Sequence, residues 1–421
     1  MLVIGTTADY IQWIRSARPG RAVYITSPEV RRTAEEPAPS KEEEIVCDLT
    51  DGESVIHSAL AHFETFGLDP VGVACFDCES MALAAKIASH FKLSYPSSQS
   101  IENCRNKDLS KILWRGNGVD CPNSIKVGSL EDLKSFFNSS GSPVVIKPTS
   151  GSGSELVFIC DNLPSCETNY FTLCRELGER RNNRLYMDGS NGAASVVAES
   201  YIPGDEYSCD FLLEREGVRV IRVAQKIRPP GKPFGTIGGY FLAPSFQVQS
   251  IEERLPDALE RAARAIGLES CIAMADFIVS DDRIFFLEIT PRPGGDCLPF
   301  LLQSACGFDM LSTAVDLGAG RPVSLPDKGS IRPHLGIRLH APHSGQLKHV
   351  EVKPPTNGPA IVDVKITRST GHRIVMPPAD YDSWFLGHVV VELPEGVDPY
   401  QEYERIQKNV LIEVENETER S

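Results

Sequence analysis

Short apolar runs alternate with amphipathic stretches over residues 1–100. Apolar runs at 2–5, 21–26, 44–48 and 71–76 predict strands, and the patterns at 9–18 and 53–66 predict helices. Strands that alternate with helices indicate a parallel sheet connected by right-handed crossovers. The first strand ends at Gly5 without a GxGxxG motif. The pattern therefore predicts a Rossmann-like fold and argues against a bound dinucleotide.

The pattern changes after residue 95, where proline and serine mark a boundary. Two predicted helices precede an apolar strand at 143–148, a loop of small residues at 149–154 and a strand at 155–160, which together read as a hairpin with a mobile tip. Alternating runs between 196 and 225 predict antiparallel strands. We predict four units: an N-terminal domain (1–100), linker helices and a lid (101–195), a central domain (196–330) and a C-terminal subdomain (331–421).

Composition narrows the possible functions. The 421 residues are 41% hydrophobic and 24% charged, and 42 basic against 57 acidic residues give a formal charge of −15. Such an acidic chain repels phosphate backbones, which argues against nucleic-acid partners. No apolar run is long enough to span a membrane, and the first residues lack a signal-peptide pattern. The 12 scattered cysteines fit reduced thiols better than disulfides, so we expect a cytoplasmic protein.

Two acidic residues stand out near residue 280. Asp276 and Glu288 lie on two predicted strands joined by a short turn, which places them on neighbouring positions. Two carboxylates held in this way suit Mg²⁺, which prefers oxygen ligands. Arg292 follows and is able to clamp a carboxylate or a phosphoryl group, while Gly294 and Gly295 let backbone amides approach an anion.

Lysines accompany these carboxylates. Lys147 ends an apolar strand just before the loop of small residues, whose amides and hydroxyls suit phosphate, although the loop lacks P-loop spacing. Lys226 either faces the same cleft or forms a structural ion pair. The CxxC pair Cys75 and Cys78 has no second pair to complete a zinc site, so buried thiols are the favoured interpretation.

Three motifs together resemble the ATP-grasp superfamily, and specifically its carboxylate–amine ligase branch of L-amino-acid ligases and dapdiamide-synthetase-like peptide ligases. The segment 287–295, Leu-Glu-Ile-Thr-Pro-Arg-Pro-Gly-Gly, is close to the family's Glu-Ile-Asn-Pro-Arg-x-Gly-Gly. Residues 197–210 resemble the family's adenine hinge and ribose segment, and 106–108 its lysine-bearing helix start. The resemblance implies an α/β ATP-grasp fold with a Rossmann-like domain, a lid, a central antiparallel sheet and a small C-terminal subdomain.

The resemblance also implies a role for individual residues. Arg292 is the implied catalytic residue and substrate contact. Lys226 is a further catalytic candidate, and Gly294 and Gly295 are further candidate substrate contacts, on the residue arguments above. Asp276, Glu288 and Thr290 are the implied Mg²⁺ site, for two ions with Mn²⁺ as a substitute. The implied ATP contacts are Lys107, Lys147, Ser150, Gly151, Ser152, Gly153, Ser154, Glu199, Ile202 and Glu206.

The chain departs from the family pattern at a few positions. Thr290 stands where the family usually has asparagine, and Thr236 and Gly239 stand where the L-amino-acid ligases have glutamate and histidine. His340 and His343 are candidate bases with an equally good structural interpretation, and Cys297 lies near the predicted site.

The implied reaction joins a small carboxylic acid to an amine or amino acid through an acyl phosphate, with release of ADP and phosphate. The alternatives are a bicarbonate-using carboxylase, similar to biotin carboxylase or a purine-type enzyme, and a non-catalytic nucleotide-binding protein. The oligomeric state stays open, with a homodimer expected only by analogy with the family.

Overall fold

The N-terminal segment is a parallel α/β layer. The computed structural model describes residues 1–187, 194–245, 249–354 and 360–416. The first elements are β1 (Leu2–Ile4), α1 (Ala8–Ala17), β2 (Val23–Thr26), α2 (Pro28–Thr33), β3 (Glu44–Val46), α3 (Gly52–Phe66), β4 (Val73–Cys75) and α4 (Met81–Phe91). The strands pair in the order β3-β2-β1-β4, and every neighbouring pair is parallel. The predicted parallel sheet is confirmed.

The lid is a small antiparallel sheet covered by helices. Its region contains α5 (Ser98–Arg105), α6 (Lys107–Gly116), β5 (Ser124–Val127), α7 (Leu130–Ser140), β6 (Val144–Pro148), β7 (Phe158–Cys160), α8 (Leu163–Glu179) and β8 (Val196–Ser200). The strand order is β5-β8-β6-β7. The hairpin of β6 and β7 is confirmed, although β7 begins at Phe158 instead of at Glu155. The loop between them is therefore longer than the sequence predicts.

The central sheet continues through the C-terminal part of the chain. Its region contains β9 (Asp205–Glu214), β10 (Gly217–Ile227), β11 (Gly239–Leu242), α9 (Gln249–Ala265), β12 (Cys271–Ser280), β13 (Arg283–Thr290), α10 (Leu298–Cys306), α11 (Met310–Gly318), β14 (His334–His340), β15 (Gly345–Val352), β16 (Ala360–Ile366), β17 (Arg373–Ile374), β18 (Phe385–Glu392), α12 (Pro399–Gln407) and β19 (Val410–Glu415). Eight strands pair in the order β13-β12-β9-β10-β11-β14-β18-β16, and β17-β15-β19 form a separate sheet.

Helices cover both faces of this central sheet. On one face α9 buries Ile251, Leu255 and Leu259, whose spacing by four residues makes one apolar stripe. On the other face α10 and α11 pack together with α1 of the N-terminal layer. Each fully buried leucine contributes roughly 1.5–3 kcal/mol relative to an exposed one. Because both faces are covered, the sheet holds the side chains at its edge in fixed positions.

No single helix in the described ranges is long and apolar enough to cross a membrane. The helices α10 and α11 reach that length and composition only as a pair, across a bend of 103°. Both contribute buried residues to the core beside the central sheet.

Candidate functional site

A cavity of about 320 Å³ lies where the lid hairpin faces the central strands. Its volume is at the lower end of the range for small-molecule sites. Apolar side chains such as Ile202, Phe234 and Met274 line part of the wall. The acidic and basic side chains that line the cavity are Lys107, Lys147, Glu155, Glu199, Glu206, Lys226, Arg228, Asp276, Glu288, Arg292, Asp296 and Arg338.

The fold brings most of the sequence-predicted residues to this one cavity. Those lining it are Lys107, Lys147, Gly151, Ser152, Gly153, Ser154, Glu199, Ile202, Glu206, Lys226, Asp276, Glu288, Arg292 and Gly295. Ser150 and Thr290 are buried beside it without lining it. Gly294 differs from the expectation. Its N–H donates to Asp210 Oδ1 at 2.8 Å and a Cβ there would meet Arg222, so its amide faces the protein interior.

Helix α6 carries one lysine that lines the cavity and a second that is fully buried. Asn106 caps this helix, since its side chain accepts from the N–H groups of residues 108 and 109. Lys107 Nζ donates to Gly151 O in the lid loop at 3.2 Å and lies 3.7 Å from Glu288 Oε2. Lys111, one turn later, is fully buried and donates to Leu287 O. The sequence analysis missed Lys111, although its spacing of four residues places it on the same helix face as Lys107.

A buried carboxylate holds two of the lysines in place. Glu199 on β8 lies 2.7 Å from Lys147 Nζ and 3.3 Å from Lys111 Nζ. Burial alone raises the pKa of Glu199, but the two lysine charges outweigh it and lower that pKa below its ordinary value. The residue predicted to contact adenine is thus also the counter-ion of this lysine pair.

One lysine joins two further carboxylates. Lys226 Nζ donates to Glu206 Oε1 at 2.7 Å and to Asp276 Oδ2 at 2.6 Å, and Arg228 donates to the other oxygen of Glu206. Glu206 is buried, but the charges of Lys226 and Arg228 lower its pKa to about 2. Lys226 therefore both lines the cavity and forms ion pairs, so the two interpretations of this residue hold together.

The paired strands β12 and β13 place Asp276 directly opposite Glu288, as the sequence predicts. Burial, followed by crowding from Glu288 and Glu206, raises the pKa of Asp276 to about 6 despite its contact with Lys226. Glu288 is partly buried, but Lys107 and other lysines lower its pKa. In the described residues, Asp276 Oδ1 and Thr290 Oγ1 are buried without a hydrogen-bond partner.

These oxygen atoms fit a divalent cation. Two carboxylates on adjacent strands and a nearby hydroxyl offer hard oxygen ligands, as Mg²⁺ requires, and leave room for water and phosphate oxygens. Within the ranges described, no group of three or more His, Cys, Asp or Glu side chains forms a metal cluster. An ion at this place therefore needs ligands from a bound molecule or from water in addition to the protein.

Arginines line the far end of the cavity. Arg292 donates to Cys78 Sγ through Nε and Nη2, at 3.2 and 3.0 Å. Asp296, which also lines the cavity, has a left-handed conformation, with φ 61°, and its Oδ2 lies 2.6 Å from Arg338 Nε. Sequence reasoning missed Arg338 and Asp296. Arg338 reaches the site only because β14 pairs with β11, and no local sequence pattern predicts that pairing.

The candidate bases differ in their surroundings. The ring of His340 lies 4.3 Å from that of Trp384, and burial, with help from Arg338 and Lys232, holds the pKa of His340 well below its ordinary value. His343 is exposed and bonds only Ser344 O in the described residues. Cys297 is fully buried, and burial raises the pKa of its thiol. None of the three lines the cavity.

Residues 140–299 match a family described as the ATP-grasp domain. The chain is 26% identical over 331 residues to "Uncharacterized protein y4rH" of Sinorhizobium fredii, covering 77% of this chain and 64% of that protein. It is 25% identical over 257 residues to an L-arginine-specific L-amino acid ligase of Bacillus subtilis, covering 60% of this chain and 59% of the ligase. The chain thus spans less than two thirds of the length of these curated relatives.

A solved structure shares the fold over nearly the whole chain. The L-amino acid ligase from Bacillus licheniformis superimposes with a TM-score of 0.79 at 19% identity, covering 99% of this chain and 98% of the ligase. The matched domain, residues 140–299, includes the lid hairpin, Glu199, Asp276, Glu288 and Arg292. The relatives confirm the resemblance to the carboxylate–amine ligase branch, and the chain contains an ATP-grasp domain within an ATP-grasp fold.

Proposed function

We propose that the protein is an ATP-dependent ligase that joins a small carboxylic acid to an amine or amino acid. The observation that carries the proposal is the arrangement of charge in one cavity. Lys107 and Lys147 line it together with the carboxylates of Asp276 and Glu288 and the guanidinium of Arg292. Phosphoryl transfer needs positioning and charge neutralisation more than covalent chemistry, and this set supplies both.

The reaction proceeds in two steps. A carboxylate oxygen of the acid attacks the γ-phosphorus of ATP, and ADP leaves to give an acyl phosphate. The amine nitrogen then attacks the carbonyl carbon, phosphate leaves, and the amine loses a proton. Lys107 and Lys147 bind the phosphates, and Arg292 stabilises the negative charge on the transferred group.

Asp276, Glu288 and Thr290 would hold Mg²⁺, which would neutralise phosphate charge and orient the phosphoryl group. Asp276 offers its unpartnered Oδ1, while Lys226 keeps Oδ2 in place. Residues 150–154 and Glu206 contact the nucleotide in this proposal, with Ile202 on the apolar wall beside it. Closure of the lid loop excludes water, which otherwise hydrolyses the acyl phosphate.

The test is a product screen. Purified protein is incubated with Mg²⁺-ATP and pools of amino acids and small carboxylic acids, while ADP release is followed and products are weighed by mass spectrometry. We expect ADP release that requires both an acid and an amine, with a product mass equal to their sum minus water. Bicarbonate-dependent ADP release without an amine contradicts the ligase and favours a carboxylase.

A further inference from the structure

The N-terminal layer reaches the candidate site through one side chain. Cys78 lies in the loop between β4 and α4, 214 positions before Arg292 in the sequence. Its sulfur accepts hydrogen bonds from Arg292 Nε at 3.2 Å and from Nη2 at 3.0 Å. Cys78 is 7% exposed, so water competes little for these bonds. The contact therefore links the parallel sheet to the arginine of the ATP-grasp domain.

Two bonds to one atom fix a guanidinium more completely than one bond does. The group is rigid and planar, so the Nε–H and Nη2–H pair fixes the direction in which it points, and a third bond at another atom fixes its plane. Nη1 donates to Pro293 O at 2.8 Å. In the described part of the chain, these bonds use three of the five N–H donors. The remaining two are left for a ligand in the cavity that Arg292 lines.

The loop that carries Cys78 is itself held in place. Arg105 Nη1 donates to Cys78 O at 2.6 Å, and Arg184 Nη2 donates to Glu79 O at 3.1 Å. Asp77 Oδ1 accepts from Ser80 N–H at 2.6 Å. Contacts on both sides of Cys78 keep its sulfur from moving with the arginine, so the sulfur is a fixed support.

The position of this loop explains how the N-terminal layer contributes. Open parallel sheets usually bind ligands in the crevice at the carboxyl ends of their strands. Here the loop packs into that crevice: a Cβ on Gly5, at the end of β1, would lie 2.1 Å from Ser80 Oγ and 2.3 Å from Asp77 Oδ2. The place where such sheets bind a ligand is filled by the loop that supports Arg292.

We propose that Cys78 is a positioning residue that orients Arg292 toward the transferred phosphoryl or acyl group. This inference rests on the proposed function, because Arg292 has its role in that reaction. Cys78 does not line the cavity, so in this proposal it acts through the guanidinium alone. Its loss therefore affects the chemical step and leaves nucleotide binding by the lysines intact.

The test compares two neighbouring cysteines, Cys75 at the end of β4 and Cys78 in the loop that follows it. Cys75 is as buried as Cys78, but its sulfur donates to Asp77 O and makes no hydrogen bond to Arg292 in the described residues. We expect Cys78→Ala to lower kcat about 10²-fold, because a misplaced group costs about that much. KM for ATP changes less than about twofold, since uniform binding is untouched. Cys75→Ala keeps kcat within about threefold of wild type, as packing changes away from the reacting atoms do.

Cys78→Ser gives an intermediate kcat, because a hydroxyl accepts the same bonds on a shorter side chain. A double-mutant cycle then separates positioning from packing. In an Arg292→Lys background we expect Cys78→Ala to change kcat less than about twofold, because lysine has no fork for the sulfur to hold. Equal losses of kcat in both backgrounds, or equal losses for the two cysteine variants, overturn the proposal.

A crystal structure of Cys78→Ala tests the placement without any turnover. We expect the Arg292 guanidinium to leave its single orientation, and an unchanged orientation overturns the inference. A wild-type enzyme without acid- and amine-dependent ADP release refutes the proposed function instead. The two failures are thus distinguishable.

Discussion

The two ends of the cavity use the same kinds of side chain and differ in how their charges are paired. At the lid end, Glu199 lies between Lys111 and Lys147. At the other end, Asp276 Oδ1 and Thr290 Oγ1 are buried without partners among the described residues. At the lid end the carboxylate is already ion-paired with two lysines, whereas at the other end two oxygen atoms are open to a ligand. The two ends thus differ in how far their charged groups are paired within the protein.

The same contrast appears in two carboxylates that share Lys226. Glu206 has Arg228 as a second cation, which helps to lower its pKa to about 2. Asp276 has Glu288 and Glu206 as neighbours, which add to burial and raise its pKa to about 6. The number of cations around each of these two carboxylates therefore decides which one takes a proton more readily.

The largest effect is expected at the carboxylate end. Glu288→Gln removes a charged ligand of the proposed Mg²⁺ site, and we expect ADP release to fall about 10²–10³-fold, as for the loss of one preorganised electrostatic contact. The measurement is steady-state ADP release with Mg²⁺-ATP. Glu214→Gln is the control, because Glu214 pairs with Arg219 on the protein surface. Similar losses in both variants contradict the assignment.

At the lid end we expect the main effect to be on stability. Glu199→Gln leaves Lys111 and Lys147 buried without their counter-ion, and we expect a loss of about 3–5 kcal/mol in the free energy of unfolding, read from denaturant titration. Glu167→Gln breaks the exposed pair with Lys134 in the same lid and should cost less than about 1 kcal/mol. A Glu199→Gln protein as stable as this control argues against the paired cluster.

The pH dependence of stability should separate the two shared carboxylates. The pKa of folded Asp276 lies above its ordinary value of 3.8, so its protonation stabilises the fold fully below that value and this contribution is lost as the pH rises through about 6. Glu206 has the opposite sign: its contribution is present above its ordinary value of 4.5 and is lost as the pH falls through about 2.

Metal-free Asp276→Asn should therefore lose the decline in stability that the wild type shows across this window, as measured by thermal melts at a series of pH values. Mg²⁺ competes with the proton on Asp276, so its effect on Tm should be larger at about pH 7.5 than at about pH 5. An Asp276→Asn curve parallel to that of the wild type contradicts the raised pKa.

The smallest expected effect concerns the cap of helix α6. Asn106→Ala removes the cap and should cost about 1 kcal/mol, and KM for ATP should rise because the helix carries Lys107 and Lys111. Asn162→Ala removes the equivalent cap of α8, which lies outside the cavity. We expect a similar stability cost there with KM unchanged. Equal changes in KM contradict the positioning role of α6.

Local patterns predicted the features that depend on neighbours in sequence. The parallel sheet, the lid hairpin and the opposition of Asp276 and Glu288 all follow from short runs and a tight turn. Thr290 also lies beside these carboxylates, as its position in the motif implies. The predicted domain boundaries stay a prediction, and so do the individual roles of the site residues.

The features that the sequence did not reveal depend on long-range packing. Arg338 lines the cavity because β14 joins the central sheet. Cys78 contacts Arg292 because the N-terminal layer packs against the loop after β13. Gly294 turns inward because Asp210 takes its N–H. In each case the contacting residue or strand lies dozens to hundreds of positions away in the sequence, so no spacing rule predicts the contact. Lys111 is the exception, since its helical spacing from Lys107 was available.

Isotope transfer tests the central claim most directly. The carboxylic acid identified in the product screen is labelled with ¹⁸O in its carboxylate and incubated with Mg²⁺-ATP and the amine. An acyl phosphate requires one labelled oxygen to leave with the phosphate, so we expect ¹⁸O-containing inorganic phosphate in equal amount to the amide. Amide formed with unlabelled phosphate, or with AMP as the nucleotide product, would contradict the account.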